Sequence, residues 1–166
     1  VIGVPTNRSQ RHTLDVDAAE VLALCRADEV DAALLVPNCP VCHQTMSLLA
    51  RALETAGIAT VILGAAKDIV EHVGVPRFLF SDLPLGHAAG LPHDPASQDF
   101  TLELGLRVLE SAVAARTTLQ SPLRWPGGDA WRDAYLNPAR LTAAERDAAR
   151  ATHEQSLAAV RALRQP

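Results

Sequence analysis

The sequence predicts an α/β domain built on an open parallel sheet with helices on both faces. Three observations lead there. Short apolar runs alternate with segments of helical periodicity. The runs are continuous rather than alternating, as in strands covered from both sides. Strand, helix and strand follow at short intervals, which favours parallel pairing through right-handed crossovers.

Taken in order, Val1 to Val4 is apolar and stops at Pro5, a first short strand, and the polar stretch Asn7 to His12 is expected as loop. Ala18, Val21, Leu22 and Cys25 share one face of a helix from Asp17 to Ala27. Val30 to Val36 reads as a buried strand. Pro40 to Ala56 is a helix closed by Gly57. Ile58 to Leu63 is a further buried strand, Lys67 to Val73 a short helix before Gly74, and Arg77 to Phe80 another short strand. Ser81 to Asp94 holds Pro84, Gly86, Gly90 and Pro92 and forms a long loop of the kind that often carries function. Asp94-Pro95 pairs an N-cap with a first-turn proline, opening a helix to about Ala114 with Phe100, Leu104, Val108 and Ala112 on its stripe. Arg116 to Asp129 is loop-like, with Pro122, Pro126 and a Gly127-Gly128 pair. Trp131 and Tyr135 share one face of a short helix, and Thr142 with Glu145 makes a capping box for a last helix to about Leu163. The expected organisation is one domain over 1–166, with 116–166 a loop and helical C-terminal extension. In architecture it is a flavodoxin-like three-layer sandwich.

Composition narrows the function. With 166 residues, 48% of them apolar, the chain has enough material for a core. A net charge of −4, a single lysine (Lys67) and 4% aromatic residues argue against a nucleic-acid groove or a base-stacking platform. No apolar run is long enough for a membrane span. No secretory signal is visible, although the chain opens on Val1 rather than Met. Three cysteines (Cys25, Cys39 and Cys42) are too few for a disulfide scaffold and point to the reducing cytoplasm.

The chemistry concentrates in Val36-Pro37-Asn38-Cys39-Pro40-Val41-Cys42-His43. Pro40 suits the first helical position, which puts Cys39 at the N-cap and Cys42 in the first turn. Both sulfurs then lie beside free N–H groups at the positive end of a helix, an environment that favours thiolate. Cys39 is assigned as nucleophile and Cys42 as its resolving partner. The same residues also fit half of a zinc site, the haem c attachment pattern Cys39 to His43, or two unreactive cysteines. Cys25 belongs to the apolar face of its helix.

Ligands of open parallel sheets sit beyond the carboxyl ends of the strands. Three segments leave such ends: Asn38 to Cys42, Gly64 to Asp68, and Ser81 to His87. Gly64, Ala65 and Ala66 open a helix with small side chains, so their N–H groups would hold a substrate carboxylate; the alternative is a tight turn that serves packing. Ser81, Asp82 and His87 supply polar groups to the third segment. Asp82 and His87 would orient a thiolate or move a proton, or be ordinary loop residues. His43 and His72 are expected in solvent. Trp125, Trp131 and Tyr135 are expected to pack or dock. Arg146, Arg150, Arg161 and Arg164, among Glu145, Asp147 and Glu154, are expected to make a solvated face.

Several runs resemble a known family: Asp31-Ala-Ala-Leu-Leu-Val-Pro-Asn-Cys-Pro-Val-Cys-His-Gln-Thr45, Ala56-Gly-Ile-Ala-Thr-Val-Ile-Leu-Gly64, Lys67 to Gly86, and Arg116 to Trp125. Over roughly residues 30 to 125 the chain resembles the B component (selenoprotein B) of the glycine, sarcosine, betaine and D-proline reductases. The resemblance puts Cys39 at the family's selenocysteine position and Cys42 at a nearby cysteine, so sulfur replaces selenium here. It implies a thiol-dependent oxidoreductase subunit that breaks a C–N bond reductively in a small amine or amino-acid-like substrate. In that family the substrate is activated as an imine on a pyruvoyl group of a partner subunit, so no cofactor is expected on this chain, and no metal. The implied partners are a pyruvoyl-type subunit, a thioredoxin-like reductant and further copies of the chain. Two other functions stay open: a stand-alone CxxC thiol–disulfide oxidoreductase, and a non-enzymatic assembly module.

Overall fold

Val61, Ile62 and Leu63 are fully buried, because their strand has neighbours on both sides and helices above and below. In the computed structural model, which describes residues 1–5, 9–136, 139 and 141–163, this strand is β2 (Ala59–Gly64). It lies between β1 (Ala32–Leu35) and β3 (Arg77–Phe80), and β4 (Thr117–Gln120) completes the sheet. All pairs are parallel and the order is β1-β2-β3-β4. The helical segments are α1 (Gln10–His12), a π-helical stretch Thr13–Asp17, α2 (Ala18–Ala27), α3 (Pro40–Thr55), α4 (Lys67–Val73), α5 (Pro95–Ser111), α6 (Ala130–Leu136) and α7 (Ala143–Leu163).

Strand periodicity divides the core in two. Ile62 and Phe78 point to one face, where they pack with Cys25 of α2, Leu49 and Leu53 of α3 and Val70 of α4. Val61, Leu63 and Leu79 point to the other, against Val108 of α5. The result is the open α/β sandwich, flavodoxin-like in its layers. The chain divides into two compact units, Val1–Pro126 with the sheet and Gly127–Pro166 with α6 and α7. Within the second unit the capping box forms: the Glu145 carboxylate accepts from the Thr142 N–H at 2.8 Å, and the Glu145 N–H donates to Thr142 Oγ1 at 3.2 Å. The Thr142 N–H and, in second place, the Thr142 hydroxyl donate to the Glu145 carboxylate and hold it below its ordinary range. The Arg132 guanidinium stands over the Trp131 ring, 5.4 Å from its centroid. Arg146, Arg150, Glu145, Asp147 and Glu154 are exposed. The side chains of Tyr135 and Arg161, and residue Arg164, lie outside the described residues.

The structure departs from the sequence expectation at several points. Residues 1–4 form no strand; Gly3 and Pro5 weaken pairing, and only Val4 packs on the core. Of the expected loop 7–12, Asn7 and Arg8 lie outside the described residues. Its end is already helical: the Ser9 hydroxyl accepts from the His12 N–H at 3.2 Å and starts α1. The run 30–36 is not covered on both sides. β1 is an edge strand, and Val36 beyond it is exposed. Residues 117–120, expected as loop, are β4. Arg116 takes a left-handed φ of 63° just before it, and β-branched Thr117 and Thr118 suit a strand.

On α5 the buried stripe is Ser97, Thr101, Gly105 and Val108, while Phe100 is exposed. Close approach to the sheet selects the small residues: a Cβ on Gly105 would meet Leu63 Cδ2 at 2.7 Å. The Thr101 hydroxyl is satisfied by the Ser97 carbonyl at 2.8 Å. The expectation of uniformly right-handed crossovers also fails. With sequential strand order, α3 and α4 on one face and α5 on the other, the β3-to-β4 crossover has the opposite hand to the two before it.

A half-buried carboxylate ties α3 to the sheet. Glu54 Oε1 accepts from the Thr60 N–H, the Thr60 hydroxyl and Arg77 Nη1, the last at 2.8 Å. Glu54→Ala would leave those donors without their partner. It is expected to lower stability by about 2–4 kcal/mol in guanidinium unfolding, and Glu54→Gln, which keeps an acceptor, by less.

Candidate functional site

Pro40 at the first helical position places Cys39 at the N-cap of α3, with extended φ and ψ of −116° and 168°. Cys39 Sγ accepts the Cys42 N–H at 3.2 Å, one of the orphan donors of the first helical turn. The two sulfurs are 2.6 Å apart and both residues are half-buried. Neither is in a disulfide. Cys25 is 5% exposed in the core. A cavity of about 580 Å³ opens beside Cys42, with Asn38, Pro37, Leu35, Met46 and Val21 in its lining; Cys39 does not line it.

His43 is not in solvent, contrary to expectation; it is 0% exposed. Its Nδ1 lies 2.7 Å from the Cys39 carbonyl oxygen, and its Nε2 accepts N–H groups from Ala65 at 2.9 Å and Ala66 at 3.2 Å. Two donors facing Nε2 require that nitrogen to be bare, so the ring is neutral and Nδ1–H donates to Cys39. Burial pushes the imidazole below its ordinary pKa, against smaller upward effects of the Cys39 bond and of the Asp68 charge. The ring fits because residue 64 is glycine: a Cβ there would come within 3.1 Å of His43 Cδ2 and Nε2. The available signal was the one-turn spacing from the N-cap to His43 together with the small Gly64-Ala65-Ala66 turn.

This bridge changes the role expected of Gly64 and Ala65. The Ala65 and Ala66 N–H groups already donate to His43, so they are not an open cradle for a carboxylate, and Gly64 is small to admit the ring. The same bonds leave His43 no ring nitrogen for a metal, which removes the axial ligand that the haem pattern needs.

The third segment is anchored rather than loose. The Ser81 N–H donates to the Gly64 carbonyl at 2.9 Å, and the buried Ser81 hydroxyl to the Ala88 carbonyl at 3.2 Å. Asp82 is half-buried beside it. His87 packs on Trp125, ring centroids 4.9 Å apart. The three segments leave neighbouring strands and share one sheet end, but β3 stands two strand spacings from β1, about 10 Å. His72 is exposed. Among the described residues, no cluster of three His, Cys, Asp or Glu side chains is placed to hold a metal, and no helix is long and apolar enough to cross a membrane.

Fold and site together define an open parallel α/β protein with paired thiols at a strand–helix turn. The chain is 34% identical over 106 residues to D-proline reductase subunit gamma of Acetoanaerobium sticklandii, which supports a relation to the proline and glycine reductase family. The match covers 64% of this chain and 44% of that protein, so the chain spans less than half of the relative's length. No protein-family model and no solved structure matches the chain.

The buried neutral ring couples stability to pH. In the unfolded chain the imidazole takes up a proton near its ordinary 6.5, whereas in the folded protein it resists protonation. The contribution of His43 is therefore complete above that pH and is lost as pH falls through the lower folded value. Unfolding midpoints measured from pH 8 to 5 are expected to drop below pH ~6.5, and His43→Gln, although less stable throughout, to flatten that drop.

Proposed function

We propose that the chain is the thiol-bearing subunit of a reductase that cleaves a C–N bond in a small amine or amino-acid-like substrate, with Cys39 as nucleophile and Cys42 as resolving thiol. One observation carries this: Cys39 Sγ sits at the N-cap of α3, partly open, with a second sulfur 2.6 Å away, in a relative of a D-proline reductase subunit. The Cys42 N–H donates to that sulfur at the start of α3.

In this reading the Cys39 thiolate attacks the substrate carbon that bears nitrogen. A C–S bond forms, and the C–N bond breaks with its electron pair leaving on nitrogen, which takes a proton. The Cys42 thiolate then attacks Cys39 Sγ. The S–S bond forms, the C–S bond breaks, and the carbon leaves as a carbanion that takes a second proton. Substrate gains two electrons, the thiol pair loses two, and an external dithiol restores it. A pyruvoyl group, if a partner subunit brings one, would activate the substrate nitrogen. The half-open sulfur and the cavity beside Cys42 leave room for a small substrate presented in this way.

The test is carried out on the complex that co-purifies with the chain. Cys39→Ser is expected to abolish reductive amine release, a loss of at least about a thousandfold. Cys42→Ser is expected to stop after one event, leaving a substrate-derived thioether on Cys39 visible by mass spectrometry. Full activity of a Cys39→Ala, Cys42→Ala protein would overturn the proposal in favour of an assembly role. Reduction of insulin disulfides by the isolated chain, with no amine release by the complex, would replace it with a general thiol–disulfide oxidoreductase.

A further inference from the structure

We propose that His43 is the positioning residue of the thiol pair: its Nδ1–H holds the Cys39 carbonyl, and its Nε2 anchors that hold to the neighbouring strand–helix turn. The proposal rests on Cys39 being the reactive sulfur. His43 acts through the Cys39 carbonyl and the Ala65 and Ala66 N–H groups.

The Cys39 carbonyl oxygen accepts twice. One donor is the His43 main-chain N–H at 3.0 Å, the first bond of the α3 ladder, and the other is His43 Nδ1–H at 2.7 Å. A carbonyl held by both the main chain and the side chain of one residue leaves ψ of Cys39 little freedom. That angle sets how the Cα–Cβ bond of Cys39 leaves the helix end, from which Sγ meets the Cys42 N–H. Without the imidazole, Cys39 keeps one donor and sits at the fraying end of a helix.

The second nitrogen makes the hold rigid. The Ala65 and Ala66 N–H groups belong to the turn between β2 and α4, where Ala66 is an N-cap with no side-chain acceptor of its own. His43 Nε2 accepts the N–H of that N-cap residue and of the residue before it. The ring is therefore clamped by main-chain groups at both ends, with Gly64 and Phe78 flanking the slot in which it lies. A surface histidine at the same helical position could make the Cys39 bond, but it would have no reason to stay in one rotamer.

The full chain tests this with alkylation of Cys39 by iodoacetamide, located by peptide mass spectrometry, while circular dichroism follows folding. His43→Asn keeps an N–H donor near the Nδ1 position. His43→Gln places its amide further out, near the Nε2 position. Gly64→Ala leaves His43 in place but crowds the ring. His43→Gln and Gly64→Ala are expected to slow Cys39 alkylation about tenfold in folded protein, and His43→Asn, which keeps the Cys39 donor but loses the Nε2 anchor, only about threefold. A purely structural histidine would lower the unfolding midpoint of all three variants without separating Asn from Gln in the rate. Equal rates for Asn and Gln, or unchanged rates in Gln and Gly64→Ala, would overturn the proposal. If the His43 variants are unfolded at the assay temperature, the Asn-to-Gln ratio is measured at a lower temperature at which both fold, and if neither folds at any temperature the Gly64→Ala rate decides. Should Cys39 of the unchanged chain react no faster than buried Cys25, the reading of Cys39 as nucleophile fails instead, which separates the two outcomes.

Discussion

One imidazole with main-chain partners on both nitrogens ties two strand–helix turns of this molecule together. A fully buried polar ring is costly unless its hydrogen bonds are made, and here Cys39, Ala65 and Ala66 make them. These partners come from two adjacent strand–helix turns, so satisfying one side chain also sets the spacing between the turns. The start of α3, the start of α4 and the end of β2 meet at that ring.

The sheet makes room for this in a consistent way. β2 carries two large side chains toward α5 and ends, on the other face, in a residue with no side chain at all. Gly64 admits the His43 ring from α3, and Gly105 of α5 admits Leu63 from the opposite side. Each helix approaches closely at a point where a single Cβ would hold it off. The central strand is thus pressed from above and below at neighbouring residues, Leu63 and Gly64, just before the chain turns into the site.

Much of this was legible in the sequence, and the limits have physical causes. Alternating apolar runs showed the parallel sandwich. Pro40 showed the N-cap sulfur, and Asp94-Pro95 showed the start of α5, where the Asp94 carboxylate accepts the Ser97 N–H at 3.2 Å. The burial of His43 was not legible, because periodicity shows which side of a helix faces inward but not which turn of another element supplies hydrogen bonds there. The stripe of α5 was misplaced for a related reason. Counting apolar residues favours Phe100, whereas close packing on Leu63 favours Ser97, Thr101 and Gly105. β4 was hidden by the prolines and glycines after it, although its threonines favour a strand.

The sequential strand order bears on how the molecule is made. Each strand pairs with the one synthesised just before it, so no pairing has to wait for a distant part of the chain. The connections to be closed are shorter than the whole chain, and closure entropy grows only slowly with their length. During synthesis the sheet can therefore grow one strand at a time. The turn that carries Cys39 leaves the ribosome before the turn that carries Ala65, and it gains its anchor only when β2 has docked.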